Sequence, residues 1–299
     1  MAPADPANPY AEVHANPQGE GDGRPTAIQI INDEGLVNLL GGKTMLVTGS
    51  TSGIGIGTVS ALHLTGVDVY MQARDYTKAE KVRGEILATS EGKGKLEIVL
   101  MDLTSLDQKL NVLINNAGVR NTPEGRTVDG FETQFGVNHL AHFLLLQLLR
   151  PTLLSSSTPS FNSRVINHSK TANILMANRI ESLYGPAGVH GLSVHPGCII
   201  TGLQRHELRS EEERNAFLNS NPQLKQVLKT TTQGAATQVW AAVGKVWEGE
   251  GGVYLEECRK GHEREEPDLV NGGYRAYAFD TVAGRNLWDI SCKMVGVSG

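Results

Sequence analysis

The stretch Thr48-Gly-Ser-Thr-Ser-Gly53-Ile-Gly55 carries the first pattern able to do chemistry. It joins a short apolar run, 43–48, to a helical pattern that starts at Ile54. Gly49 permits a tight turn, Gly53 lets the backbone approach a pyrophosphate, and Gly55 lets helix and strand pack closely. Thr51, Ser52 and Ile54 complete the turn, and the helix N-terminus offers free N–H groups to phosphate. Alone, such a turn reads as well as an ordinary loop, and the strand–turn–helix context is what favours a nucleotide site. The next apolar run ends in Gln72-Ala-Arg74-Asp75. An NAD site places an acid there, whereas Arg74 offers a fork for a 2′-phosphate, which favours NADP(H). The competing reading of Arg74 is a solvated strand end.

These residues need a sheet to hold them. Strand patterns fall at 43–48, 67–71, 96–101, 112–114, 164–167, 191–194 and 252–255. Helical patterns fall at 54–65, 77–88, 131–149, 169–183 and 233–246. Alternation of this kind predicts an α/β fold, a doubly wound parallel sheet covered on both faces. A single domain over 28–299 is expected. Residues 1–27 hold Pro3, Pro6, Pro9, Pro17 and Pro25 without periodicity and predict a flexible arm.

The 299 residues carry a net charge of −5, so no basic field for nucleic acid is expected. The 3 cysteines form no CxxC pair, which argues against a disulfide scaffold or a thiolate zinc site and suits a reducing compartment. No stretch reaches the ~20 apolar residues of a membrane span, and no secretory signal is visible, so a cytoplasmic location without a membrane partner is expected.

Several motifs agree beyond the turn. They are 48–55, Asp102-Leu103 after the third strand, Asn115-Asn-Ala-Gly118, Asn138 in the long helix, Ser169-Lys170, and Pro196-Gly197 with Thr201. Together they resemble the short-chain dehydrogenase/reductase family, and the branch looks like the retinol-dehydrogenase and WW-domain-oxidoreductase group with its fungal relatives. The resemblance implies an NADP(H)-dependent oxidoreductase. It would move a hydride between nicotinamide and a carbonyl or secondary alcohol, with a role in fungal secondary metabolism by analogy. It implies that Asp102 contacts the adenine with Leu103 beside it, and that Asn116 and Gly118 line the middle of the cofactor. Lys170 would hold the nicotinamide ribose and lower a tyrosine's pKa. Pro196, Gly197 and Thr201 would embrace the nicotinamide amide, and Asn138 would hold a water in a proton relay. A small-molecule substrate and a homo-oligomer formed through the 134–153 helix are implied as well.

Two departures stand out. The family places a tyrosine four residues before the lysine, one helical turn away, to act as general acid or base. Four residues before Lys170 is Ile166, and none of the 7 tyrosines takes that place. The run Arg164-Val-Ile-Asn167 passes directly into His168-Ser169-Lys170, so the segment that should carry serine and tyrosine is absent; Ser160, Ser163 and Ser169 lack the strand-end position. His168 offers a group titrating near neutrality, with an ordinary loop residue as the alternative. The second departure is the link from Thr104 to Leu110. Parallel strands need a crossover of a dozen or more residues, usually a helix, and in the expected strand order 3-2-1-4 this one must also pass two strands. Fully extended, this link reaches about 28 Å and cannot detour around a helix layer. The chain should therefore lack a covering helix or misplace a strand. Two readings follow: an oxidoreductase of this family, or a catalytically inactive nucleotide-binding or dimer-partner protein from a truncated transcript or gene model.

Overall fold

A computed structural model describes residues 5–100, 109–168, 170–208, 210–268 and 270–298. The chain opens with α1 (Ala11–Ala15) and α2 (Ala27–Asp33), then β1 (Thr44–Thr48), α3 (Ile54–Leu64), β2 (Asp68–Gln72), α4 (Tyr76–Thr89), β3 (Leu96–Val99) and β4 (Val112–Asn115). A short α5 (Thr133–Phe135) runs into a π-helical turn, Gly136–Leu140, and on into α6 (Ala141–Ser156). There follow β5 (Ser163–His168), α7 (Thr171–Tyr184), β6 (Val189–His195), α8 (Glu211–Asn219), α9 (Pro222–Val227), α10 (Thr231–Gly234) and α11 (Ala236–Val243). The chain closes with β7 (Val253–Glu256), β8 (Arg259–Lys260) and α12 (Thr281–Val295).

The strands form one sheet in the order β3-β2-β1-β4-β5-β6-β7-β8, parallel throughout except for the last pair. The expected doubly wound architecture is therefore present, with the order reversing between β1 and β4. Apolar residues on both faces explain it, because side chains alternate along each strand and each face needs cover. Met45, Val47, Val69 and Met71 face α2, α3 and α11, while Leu113 and Val165 face α6, α7 and α12. Asp75 starts α4 by accepting the Lys78 N–H at 3.0 Å, and Asp280 starts α12 by accepting those of Val282 and Ala283.

No strand is misplaced: β3 and β4 take their expected places. The middle of the link between them, 101–108, lies outside the described residues. Cover on one face nevertheless thins toward β3. Leu46, Tyr70 and Glu97 stand in register on that face, and they pass from buried through half-buried to exposed. A parallel sheet is normally covered there by the crossover helix.

The arm expected to be flexible is instead packed over residues 5–26. Its anchors are polar. Arg24 is 3% exposed and donates to the carbonyls of Gly19, Val227 and Leu228. Gln233 reaches back to the carbonyls of Asp22 and Arg24. No helix among the described residues is long and apolar enough to cross a membrane.

Candidate functional site

The site lies at the C-terminal ends of β1, β4, β5 and β6, the crevice where open α/β sheets bind ligands. The glycine turn is built as its residues require. Gly49 and Gly53 have φ of 65° and 55°, the left-handed region that favours glycine. A Cβ on Gly49 would lie 2.8 Å from Ala117 Cα, and one on Gly55 would lie 2.3 Å from the Gly49 carbonyl oxygen. Gly53 is the N-cap of α3, so the first N–H groups of that helix open toward the turn. Thr51 is half-buried, Ser52 is exposed, and Ile54 is the first residue of α3. Thr201 closes the far side, with its Cγ2 3.3 Å from where a Gly53 Cβ would sit. It caps the short turn 202–204, accepting the Leu203 N–H at 3.1 Å.

Asn116 braces the turn. Its amide donates to the carbonyls of Thr48 (2.8 Å) and Gly49 (3.2 Å). Gln72 supports it from β2, accepting the Gly49 N–H. Arg74 follows β2 and is exposed, with no hydrogen bond or ion pair among the described residues. Asp102 and Leu103 lie outside the described residues.

Deeper in, Gly118, Asn138 and Lys170 converge. A Cβ on Gly118 would lie 3.2 Å from Asn138 Oδ1 and 3.6 Å from Lys170 Nζ. Asn138 sits in the π-helical turn, a departure often found at functional sites. Its Oδ1 accepts the Val119 N–H at 2.8 Å and its amide donates to the Val119 carbonyl at 2.9 Å. Lys170 is the N-cap of α7; the residue is exposed as a whole, its Nζ lies beside Gly118, and desolvation there draws its pKa below the ordinary lysine value. Pro196 and Gly197 follow β6, and Gly197 takes φ of 92°.

The surrounding histidines are kept neutral. Burial first, and then the Lys170 charge, pushes His168 down to about 3. His168 Nε2 meets Gln238 Oε1 at 2.6 Å, a contact that pushes the other way but is outweighed by burial and the Lys170 charge, so the neutral imidazole is held. Burial pushes His142 down to about 4, with a smaller push from Lys170, while it contacts Thr48 Oγ1 at 3.1 Å. Ile166, four residues before Lys170, lies inside β5 and is fully buried. Tyr184 lies at the far end of α7, where its hydroxyl meets Arg150. Arg120 pairs with Glu207 at 3.4 Å.

A cavity of about 320 Å³ opens beside Lys170, lined by Thr171, His195, Tyr254, Tyr274, Arg275 and Tyr277 among others. Sequence reasoning missed it, because the 261–279 loop carries no motif; aromatic spacing at Tyr274 and Tyr277 was the available signal. The expected oligomer helix leaves Leu148 43% exposed, while Leu140 is buried within the chain's own core.

Residues 43–212 match the family described as short chain dehydrogenase. Among the relatives, "Short-chain dehydrogenase/reductase prx1" of Penicillium roqueforti is 40% identical over 331 aligned positions, covering 97% of this chain and 95% of the relative. Since 97% of 299 residues fill those 331 positions, about 40 positions of the relative stand opposite no residue here. "Oxidoreductase calI" of Penicillium decumbens is 36% identical, covering 96% of this chain and 97% of the relative. "Retinol dehydrogenase 14" of Mus musculus is 34% identical, covering 87% of each chain. A solved "RhlG/NADP active-site complex" of Pseudomonas aeruginosa superposes with a TM-score of 0.59 at 22% identity, covering 74% of this chain and 96% of that one, a likeness of fold. Sequence motifs, sheet order and relatives agree, and the chain belongs to the short-chain dehydrogenase family of oxidoreductases, on its fungal side.

Proposed function

We propose that the chain binds NADP(H) and belongs to an enzyme that moves a hydride between nicotinamide and a carbonyl or secondary alcohol. The observation that carries this reading is the cradle at Gly49, Gly53 and Gly55, where an added Cβ would strike backbone or Thr201 and the α3 N-terminus faces the turn. The cofactor supplies the hydride chemistry when bound. Gly49 to Gly55 hold the pyrophosphate end, and Pro196, Gly197 and Thr201 meet the nicotinamide amide. Arg74, exposed and without a partner among the described residues, takes a 2′-phosphate. Gly118, Asn138 and Lys170 face the ribose and nicotinamide end, and the cavity beside Thr171 admits a small-molecule substrate. A homo-oligomer and a cytoplasmic setting belong to the same proposal.

A second reading is favoured by Ile166, which stands sealed in the sheet where the family's reaction wants a phenol. A chain without that acid binds nucleotide and turns over poorly, since a positioned general acid is worth ~10²–10⁴ in rate. The unfilled alignment positions and the thinning cover at Tyr70 and Glu97 suit a product that has lost two internal segments. Full-length sequencing of the mature transcript across Gln108–Lys109 and Asn167–His168 tests this. Extra codons restoring a helix and a serine-plus-tyrosine segment favour the active enzyme; uninterrupted junctions favour the nucleotide-binding protein. NADPH binding followed by fluorescence tests both readings, and its absence overturns both.

A further inference from the structure

Lys229 is 2% exposed, which is rare for a lysine, and it sits directly behind the loop that follows β6. Its stem packs on Gly197: a Cβ there would lie 3.0 Å from Lys229 Cδ and Cε and 3.1 Å from Nζ. Its backbone N–H donates to the Cys198 carbonyl at 2.9 Å. Side chain and backbone of one residue thus fix two successive residues of that loop.

Lys229 is held by Glu257, which the N-terminal segment holds in turn. Its Nζ meets Glu257 Oε2 at 2.9 Å, and His14 Nε2 meets the same oxygen at 2.9 Å. His14 is anchored in turn, Nδ1 to the Tyr10 carbonyl at 2.9 Å. Burial would raise the Glu257 carboxyl, but the His14 hydrogen bond and the Lys229 charge outweigh it and hold the group far below the usual carboxylate range. Glu257 and Cys258 form the turn between β7 and β8 with φ of 50° and 51°, a conformation that favours Asn-Gly. Strain of this kind persists where the surroundings over-determine it. A second clamp lies just ahead of Lys229, where Arg24 donates to the carbonyls of Val227 and Leu228.

We propose that Lys229 is a positioning residue for the loop at Pro196 and Gly197, and that the segment from Tyr10 to Arg24 is the strap that holds it in place through Glu257 and the 227–228 backbone. This rests on the reading that the cleft takes a nicotinamide cofactor whose nicotinamide end meets that loop. On that reading the loop meets only that end, so the strap should govern that half of the ligand and leave the adenine half alone.

The test compares the affinity of the full chain for NADPH with its affinity for 2′,5′-ADP, which occupies the adenine half only. Lys229→Met should weaken NADPH about 10-fold, the scale of one charge-assisted contact, while 2′,5′-ADP stays within about twofold. His14→Gln, remote from the cleft, should shift NADPH in the same direction by less, and Lys229→Arg should recover part of the loss. Equal weakening of both ligands, or no change in either, overturns the proposal. Amide hydrogen exchange over 195–201 gives a readout free of cofactor, and it also serves if Lys229→Met does not fold. Faster exchange in His14→Gln than in the unaltered chain supports the strap, and identical exchange overturns it. If the unaltered chain binds neither ligand, the cofactor reading fails while the exchange comparison still decides the strap.

Discussion

Ile166 stands directly opposite Ile114 in the sheet, both fully buried, four residues ahead of Lys170. The place that sequence spacing assigns to a phenol is thus the interior of a strand. Restoring the tyrosine by substitution should fail for that reason. Ile166→Tyr forces a larger, polar side chain into a packed sheet and should cost ~1–3 kcal/mol. NADPH consumption with a simple ketone should not rise. A gain in turnover from this single change, measured beside the thermal midpoint, would show that the cleft geometry differs from the one described.

Gly55→Ala should damage the cofactor turn. The new methyl would lie 2.3 Å from the Gly49 carbonyl oxygen and 2.9 Å from Asn116 Nδ2, so the turn must open. Affinity for NADPH should fall by at least about tenfold, as expected when backbone donors are displaced from a charged ligand. Fluorescence titration checks this, and unchanged affinity would place the pyrophosphate elsewhere.

Arg74→Ala separates the two cofactors. Loss of a guanidinium–phosphate contact should weaken NADPH ~10–100-fold and leave NADH unchanged. Equal affinities before and after the change would make Arg74 a solvated strand end.

Acid should destabilise the fold in a defined window. His142 falls from an ordinary value of 6.5 to about 4 on folding, because burial disfavours its charge. Between those values the unfolded chain binds more protons, so stability is fully present above the unfolded value and is lost as pH falls toward 4. The cost from His142 alone is about 3 kcal/mol by pH 4. His168 and His195 are lowered by burial as well and act in the same direction. Denaturant midpoints from pH 7 to pH 4 should fall, and His142→Gln should make the fall shallower by about one proton.

The chain announced its first half more clearly than its last third. The turn at Gly49 to Gly55 was legible because its glycines answer to local backbone geometry. The order of β1 to β4 was legible because alternating strands and helices leave few ways to wind a sheet. The short link after Leu103 was legible only as a conflict between chain length and reach, and most of its residues lie outside those described. The N-terminal segment was misread: Arg24 and Gln233 find their partners about 200 residues away, and nothing local signals such contacts. Helix α12 escaped because it buries only a narrow stripe, with Gly284, Trp288, Ser291 and Cys292 against its neighbours. Lys229 carried no motif, since its role depends on Glu257 and Gly197, which the fold alone brings together.

The strap has a consequence for biosynthesis. Arg24 and Leu228 are separated by 204 residues, so the anchor for the first part of the chain is made late. At typical ribosomal rates of about 5–20 residues per second, the segment emerges roughly 10–40 s before its seat exists. For that interval it is an extended tail, open to nascent-chain chaperones and proteases. Its docking becomes a closing step that joins it to residues 227 to 257, and a bulky fusion ahead of Tyr10 should lower the yield of folded protein without altering a single contact in the cleft.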